Sequence, residues 1–291
     1  MIPVRYEARL SVSDFRRWVT LLAVSRTCPL CGRDNAAAPS HPYSVAPWVL
    51  RQCGGCGLVY LENPPEYASL EEDLAWEKTW AEEVAQRRRR EPLLHFASRA
   101  LKAVPQRLFG RDKLVSWVRR YAAPGRVLDV GCGGGYALER LPAAYLPFGV
   151  EVSKELSRRA QQRFALRGGQ VVQGDALRAL SEFAPEFFSG VVMTSYLEHE
   201  PNPRAVLEAA ARVMKPGARL IVKVPNFASW NRTVRGARWC GLRFPDHVNY
   251  FTPELLVRLL EKSGFGIVRF AWLDRLPTSD SMWLVGEKRT V

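Results

Sequence analysis

Val127-Leu128-Asp129-Val130-Gly131-Cys132-Gly133-Gly134-Gly135 is the stretch on which the fold turns. Val127 to Val130 suits a buried strand, a glycine turn follows, and Tyr136 to Leu141 starts a helix. Glycines at 131, 133 and 135 let the backbone bend tightly and let a ligand approach closely. A dinucleotide fingerprint, GxGxxG, takes its acidic residue from the end of the next strand. Here Asp129 also precedes the first glycine, which gives DxGxGxG. That arrangement suits a cofactor with a cationic amino-acid end and no pyrophosphate.

Working outward, short apolar runs alternate with amphipathic stretches. Strands are predicted over Phe148 to Val152, Gln170 to Gln173, Gly190 to Ser195 and Arg219 to Val224. Helices are predicted from Lys154 to about Arg167, from Pro203 to Met214 and from Pro253 to Ser263. Gly266 to Leu273 and Ser281 to Glu287 pair as a closing hairpin. Such alternation predicts an α/β fold, a largely parallel sheet with helices on both faces. Two further carboxylates follow successive strands, Glu151 and Asp175. Glu151 is placed to accept from two ribose hydroxyls, and Asp175 from an adenine amine. Each taken alone is more often a helix cap.

At this point the chain resembles the class I S-adenosylmethionine-dependent methyltransferase superfamily. More narrowly it resembles bacterial ubiquinone-biosynthesis O-methyltransferases and small methyltransferases of glycan and natural-product pathways. The resemblance runs from about Pro124 to the C-terminus. It rests on the glycine loop and on Tyr196-Leu197-Glu198-His199 with Asn202-Pro203. It also rests on Met214-Lys215-Pro216-Gly217, Pro225-Asn226 and His247-Val248-Asn249-Tyr250-Phe251-Thr252-Pro253. It implies a seven-stranded Rossmann-like sheet whose last strand runs antiparallel. It also implies S-adenosylmethionine as cofactor, held by Asp129, Gly131, Gly133, Gly135, Glu151 and Asp175.

Methyl transfer from a sulfonium needs alignment and often removal of one proton. His199, beside Glu198, and His247 follow strands that deliver residues to the cofactor edge. Either histidine reads as a base, with Glu198 as partner, or as a structural hydrogen-bonder. In some relatives the Glu-His pair belongs to a longer acidic motif proposed to hold a divalent metal. Ser195 stands where that motif carries its first carboxylate, so no three-ligand catalytic metal is expected. The segment around Trp230, Arg238, Trp239 and Tyr250 reads as the variable acceptor region, or as a packed lid with an exposed basic face.

Four of the six cysteines form two knuckles, Cys28-Pro29-Leu30-Cys31-Gly32 and Cys53-Gly54-Gly55-Cys56-Gly57. Four thiolates suit tetrahedral zinc, and a closed all-cysteine set is structural. The module resembles a zinc ribbon. Paired CxxC spacing in a chain of 291 residues points to a reducing, cytoplasmic setting rather than a secreted disulfide framework. Three regions are expected: a zinc-ribbon module over 1–65, a helical linker over 66–121 and the methyltransferase domain over 122–291. No apolar run approaches the roughly 18 residues of a membrane span. Trp18 to Val24 reads as a packed helix or strand.

The net charge of +13, part of it in Arg87-Arg88-Arg89-Arg90, favours anionic or phosphate-bearing partners, nucleic acid among them. The leading functional reading is O-methylation of a small-molecule, sugar or lipid-linked glycan acceptor. A competing reading is an RNA methyltransferase that uses the ribbon and the basic surface. Thr194-Ser195-Tyr196 lacks the Asn-Pro-Pro-Tyr character that base N-methylation favours. A third reading is an inactive binding protein, against which the intact glycine loop argues.

Overall fold

A computed structural model describes residues 25–65, 113–243 and 245–289. The segment Trp18 to Val24, the run Arg87 to Arg90 and the linker helices expected over 66–112 lie outside the described residues.

Seven strands form the main sheet: β3 (Gly125–Val130), β4 (Tyr145–Glu151), β5 (Gln170–Gln173), β6 (Phe188–Thr194), β7 (Met214–Pro225), β9 (Phe265–Phe270) and β10 (Ser281–Lys288). Their order is β5-β4-β3-β6-β7-β10-β9. The pairs from β5 through to β7 are parallel, and β10 runs antiparallel to both of its neighbours. The expected seven-stranded sheet with an antiparallel last strand is therefore present.

Alternation along each strand sorts side chains to two faces. Leu128, Val130, Val191, Met193, Leu220, Val222 and Leu284 join one core, with α4 (Ala176–Ser181), α5 (Pro203–Val213) and α7 (Pro253–Lys262). The intervening Val127, Val192, Ile221 and Val285 join the other. That core also takes residues of α1 (Lys113–Tyr121), α2 (Tyr136–Glu139) and α3 (Lys154–Ala165). Ser153 caps α3 and Thr252 caps α7, each accepting from the amide three residues on. Helix α1 falls inside the expected linker yet packs as part of the domain core.

Two details differ from the sequence reading. Trp272 and Leu273 open α8 (Trp272–Arg275) instead of ending a strand. The reason is pairing: β9 is the edge strand, and its last partner is Leu284, because Ser281 to Trp283 pair only with β7. Helix α4 was not anticipated at all, since six residues carry too little periodicity to show.

The N-terminal module is not separate in space. Strands β1 (Leu50–Gln52) and β2 (Val59–Leu61) form an antiparallel sheet with β8 (Asn249–Tyr250), which comes from the far end of the chain. Cys28, Leu30, Cys53, Leu58 and Tyr60 belong to the same buried cluster as the main sheet. Among the described residues, no helix is long and apolar enough to cross a membrane.

Below the sheet, Phe148, Phe183, Phe187 and Phe188 pack as an aromatic knot with ring centroids 4.9–6.2 Å apart. Phe188 is fully buried. Phe188→Ala is expected to cost about 3–5 kcal/mol by the lost burial and the cavity left behind. Urea unfolding measures it, and a loss below about 1 kcal/mol would mean that the knot repacks freely.

Candidate functional site

Parallel strands deliver their C-terminal ends to one edge, and the crevice there is where open α/β sheets bind ligands. In this chain that crevice is a cavity of about 660 Å³. One end is built by β3 and β4 and the other by the segments after β6 and β7.

At the first end, the amides of Gly131 and Cys132 both donate to the Val150 carbonyl, at 2.8 and 3.1 Å. This folds the glycine turn back over β4. Gly131 has φ 77°, and a Cβ there would lie 2.8 Å from Tyr196 Cδ2, so no side chain fits. The Gly133 amide donates to Glu151 Oε2 at 2.7 Å and the Ser153 amide to Oε1 at 3.0 Å. Asp129 is 3% exposed, and its Oδ1 has no hydrogen-bond partner. Burial, and then the charge of Glu151, hold its carboxyl well above the usual range. A buried carboxylate oxygen left unpaired at a cavity wall calls for a donor or cation from a ligand.

Two expected cofactor contacts sit elsewhere. Asp175 accepts from the Arg178 amide at 3.0 Å and caps α4, while its neighbours Gly174 and Ala176 line the cavity. Gly135 lies off the lining: a Cβ there would meet Ala160 Cα at 3.0 Å, so it permits close packing of α3 on the turn.

At the second end, Glu198, His199 and His247 present ligand atoms that all lie within 4.8 Å of one another. The imidazole centroids are 4.6 Å apart, with rings at 88°. His199 Nδ1 faces the Asp246 carbonyl at 2.9 Å, and His247 Nδ1 faces the Gly241 carbonyl at 2.8 Å. A carbonyl only accepts, so each Nδ1 carries the proton and each Nε2 keeps its lone pair. Burial, reinforced by the Arg243 charge, pulls His199 down to about 4. Burial and then the neighbouring His199 and Arg243 pull His247 well below its ordinary value. Glu198 is pushed up to about 7 by burial, against the opposing charge of Lys223. Its Oε2 is buried without a partner. Two imidazole lone pairs and a carboxylate oxygen form a donor set able to hold a divalent cation. Sequence reasoning finds no third carboxylate, because Ser195 stands at that position; the third group of this cluster, His247, comes from a distant segment. Ser195 itself has φ 55°, and its Oγ accepts from Lys223 Nζ at 2.7 Å.

Of the expected acceptor residues, Trp239 lines the cavity, with its Nε1 donating to Asp280 Oδ1 at 3.2 Å. Trp230 is 61% exposed on α6 (Trp230–Arg235), and Arg238 is exposed; neither lines the cavity. Tyr250 is buried behind the wall, where its hydroxyl donates to the His247 carbonyl at 2.9 Å. Sequence reasoning missed Lys223 and Asp280, while Arg243, inside the expected acceptor segment, does line the cavity. Lys223 did leave a signal, a charge inside the apolar run Leu220-Ile221-Val222-Lys223-Val224.

The two cysteine knuckles are near copies. Cys28 N donates to Arg33 O at 2.9 Å and Gly32 N to Cys28 O at 2.8 Å; Cys53 N donates to Leu58 O at 2.9 Å and Gly57 N to Cys53 O at 2.8 Å. Gly32 and Gly57 both have positive φ, at 75° and 81°. The four Sγ atoms lie within 4.8 Å of one another, with Cys28–Cys56 at 3.5 Å and Cys31–Cys53 at 3.4 Å. A tetrahedral Zn–S bond length near 2.3 Å implies sulfur separations of about 3.8 Å, so the donors fit zinc.

A family described as "Methyltransferase domain" matches residues 93–269. The ubiquinone biosynthesis O-methyltransferase of Idiomarina loihiensis is 32% identical over 133 residues, covering 44% of this chain and 51% of the relative. That of Aromatoleum aromaticum is 30% identical over 162 residues, covering 52% of this chain and 68% of the relative. The chain spans about half the length of the first of these. A solved chain from the complex of the Haloferax volcanii Trm112 methyltransferase activator with a methyltransferase has the same fold. Its TM-score is 0.50 at 18% identity, covering 66% of this chain and 96% of that one.

The depressed histidines carry a pH signature. Between the folded value of about 4 for His199 and the ordinary 6.5, the unfolded chain binds the proton and the folded one does not. Stability from this group is complete above pH 6.5 and is lost as the pH falls toward 4. In buffer free of divalent cations, acidification through that window should lower Tm more in wild type than in His199→Gln. The buried imidazole contributes up to about 1.4 kcal/mol per pH unit. Equal pH slopes in the two proteins would contradict its burial in the neutral form.

Proposed function

The chain belongs to the methyltransferase domain family, and from that premise we propose that it transfers a methyl group from S-adenosylmethionine to a hydroxyl of a small molecule. The observation that carries this reading is the unpaired, buried Asp129 Oδ1 beside the glycine turn and Glu151. S-adenosylmethionine supplies an activated methyl on a sulfonium. Asp129 meets the cationic amino-acid end of that cofactor, and the turn, open at Gly133, lets the ligand close on the backbone. Glu151 exchanges its amide partners for ribose hydroxyls. Asp175, as the resemblance implies, turns toward the adenine amine. The hydroxyl acceptor is supported by the O-methyltransferase names of the curated relatives.

At the other end His247 or His199 takes the acceptor proton on Nε2. Both imidazoles are neutral near pH 7 and can accept a proton there, although the burial that keeps them neutral also lowers their basicity. Such a base contributes about 10²–10⁴-fold. Glu198 is the partner that stabilises the imidazolium. A second reading is favoured by the orphan Glu198 Oε2 and the two free Nε2 atoms: the trio holds a divalent cation, whose chemistry would be to acidify a bound hydroxyl. The four cysteines hold one structural zinc.

Calorimetry with S-adenosylhomocysteine is expected to show binding that Gly131→Val abolishes and Asp129→Asn weakens by about tenfold or more. Wild type that binds NAD and ignores S-adenosylhomocysteine would overturn the reading. His199→Ala or His247→Ala should lower turnover of hydroxylated acceptors by about two orders of magnitude at unchanged cofactor affinity. Full activity in both folded variants removes histidine from the chemistry. Elemental analysis of protein purified without added metal should find one zinc per chain, and near-zero zinc with a Cys28–Cys31 disulfide would refute that site.

A further inference from the structure

Arg26 lies two residues before the first knuckle cysteine and is partly buried. Its Nε donates to the Leu61 carbonyl at 2.8 Å, and Nη1 to the Pro201 carbonyl at 2.5 Å. Nη2 donates to the Val248 carbonyl at 2.6 Å and to Asn249 Oδ1 at 3.0 Å. These acceptors come from three segments remote in sequence. Leu61 ends β2 of the cysteine module, Pro201 stands two residues past His199, and Val248 follows His247 directly. Three carbonyls and an amide oxygen accept from the guanidinium, the Tyr60 ring lies 5.4 Å from its carbon, and the charge of Glu200 adds to its stabilisation. Burial lowers its pKa to about 10, which leaves it charged at neutral pH.

The acceptor segments are also tied to one another. The amides of Val248 and Asn249 both donate to the Glu198 carbonyl, at 2.7 and 3.1 Å. Asn249 Nδ2 donates to the carbonyls of Leu197 and Glu200, at 2.8 and 2.7 Å. The Leu61 amide donates to the Val248 carbonyl at 2.9 Å. Arg26 itself is held by its own amide on the Glu62 carbonyl at 2.9 Å and by the knuckle that starts at Cys28. None of these bonds reaches the glycine turn or Glu151. A planar fork with several donors spans three segments in one geometry, which a lysine cannot do.

We propose that Arg26 is a positioning residue through which the four-cysteine module fixes Glu198, His199 and His247, so that the module governs the acceptor end of the cavity and leaves the cofactor end alone. This rests on the reading of those three groups as the acceptor end. Burying a guanidinium against backbone is costly and is retained where it specifies one arrangement of segments. The Val248 carbonyl already accepts from the Leu61 amide, and Arg26 adds a second donor there while tying in the Leu61 and Pro201 carbonyls. Held by Arg26, they set the spacing between the loop after β6 and the segment before β8 that carries His247.

The test is hydrogen exchange on the full chain, comparing wild type, Arg26→Gln, Arg26→Lys and wild type stripped of metal with a mercurial and chelator. In Arg26→Gln the amides of Val248 and Asn249 should exchange about tenfold faster or more, as expected for the loss of about one net charged hydrogen bond. Gly131 and Cys132, bonded to Val150 on the cofactor side, should change by less than about twofold. The imidazole Nδ1–H resonances of His199 and His247 should broaden in the same variant. Arg26→Lys should fall between, and metal removal should reproduce the Arg26→Gln pattern. Faster exchange at both sets alike would reduce Arg26 to general stability and overturn the proposal, as would unchanged protection at Val248. If Arg26→Gln does not fold, Arg26→Lys carries the same contrast. Binding of S-adenosylhomocysteine, measured alongside, should stay within about twofold. Failure of wild type to bind it would count against the methyltransferase reading and leave the exchange contrast to decide the role of Arg26.

Discussion

Taking a charge out of water costs several kcal/mol unless the protein supplies partners, and this chain buries charge all along one edge of its sheet. It meets the cost in three ways. Arg26 is surrounded by carbonyls. Asp129 and Glu198 each keep one oxygen without a protein partner, and both line the cavity. His199 and His247 stay neutral, with one nitrogen on a carbonyl and the other free. What remains unsatisfied inside the protein marks where ligand atoms belong.

The two ends of the cavity are built differently. The cofactor end is nearly local: β3, its glycine turn and β4 form one crossover unit, and two amides on the Val150 carbonyl hold the turn shut. The acceptor end is assembled from the loop after β6, Lys223 on β7, the segment around Trp239 to His247 and Asp280 before β10. Its wall is backed by a three-stranded sheet that joins residues near 50 and 60 to residues near 250. That arrangement makes the cysteine module part of the catalytic domain's architecture rather than an appendage, since Cys28, Cys53 and Tyr60 share the main core.

The part of the molecule legible in the sequence was the part governed by neighbours in the chain. Apolar runs followed by amphipathic stretches announced the parallel strands and their helices, because alternation and helical period are properties of a few consecutive residues. The glycine turn was readable for the same reason: positive φ at Gly131, Gly133 and Gly135 is a local demand. So were the two knuckles, whose cysteines and following glycines repeat one tight turn.

Tertiary structure alone decided what depends on residues far apart. Nothing near Trp230 or Arg238 shows that they face away from the cavity while Trp239 enters it. Arg26 left no trace in its own neighbourhood, because its partners are 35, 175 and more than 220 residues away. The third member of the Glu198–His199–His247 cluster likewise comes from another segment. Local pattern sets backbone conformation and which face is apolar. Whether a polar side chain ends as a cap, a clamp or a ligand depends on what the fold brings within about 3 Å of it, and that is settled by packing between segments that the sequence does not place side by side.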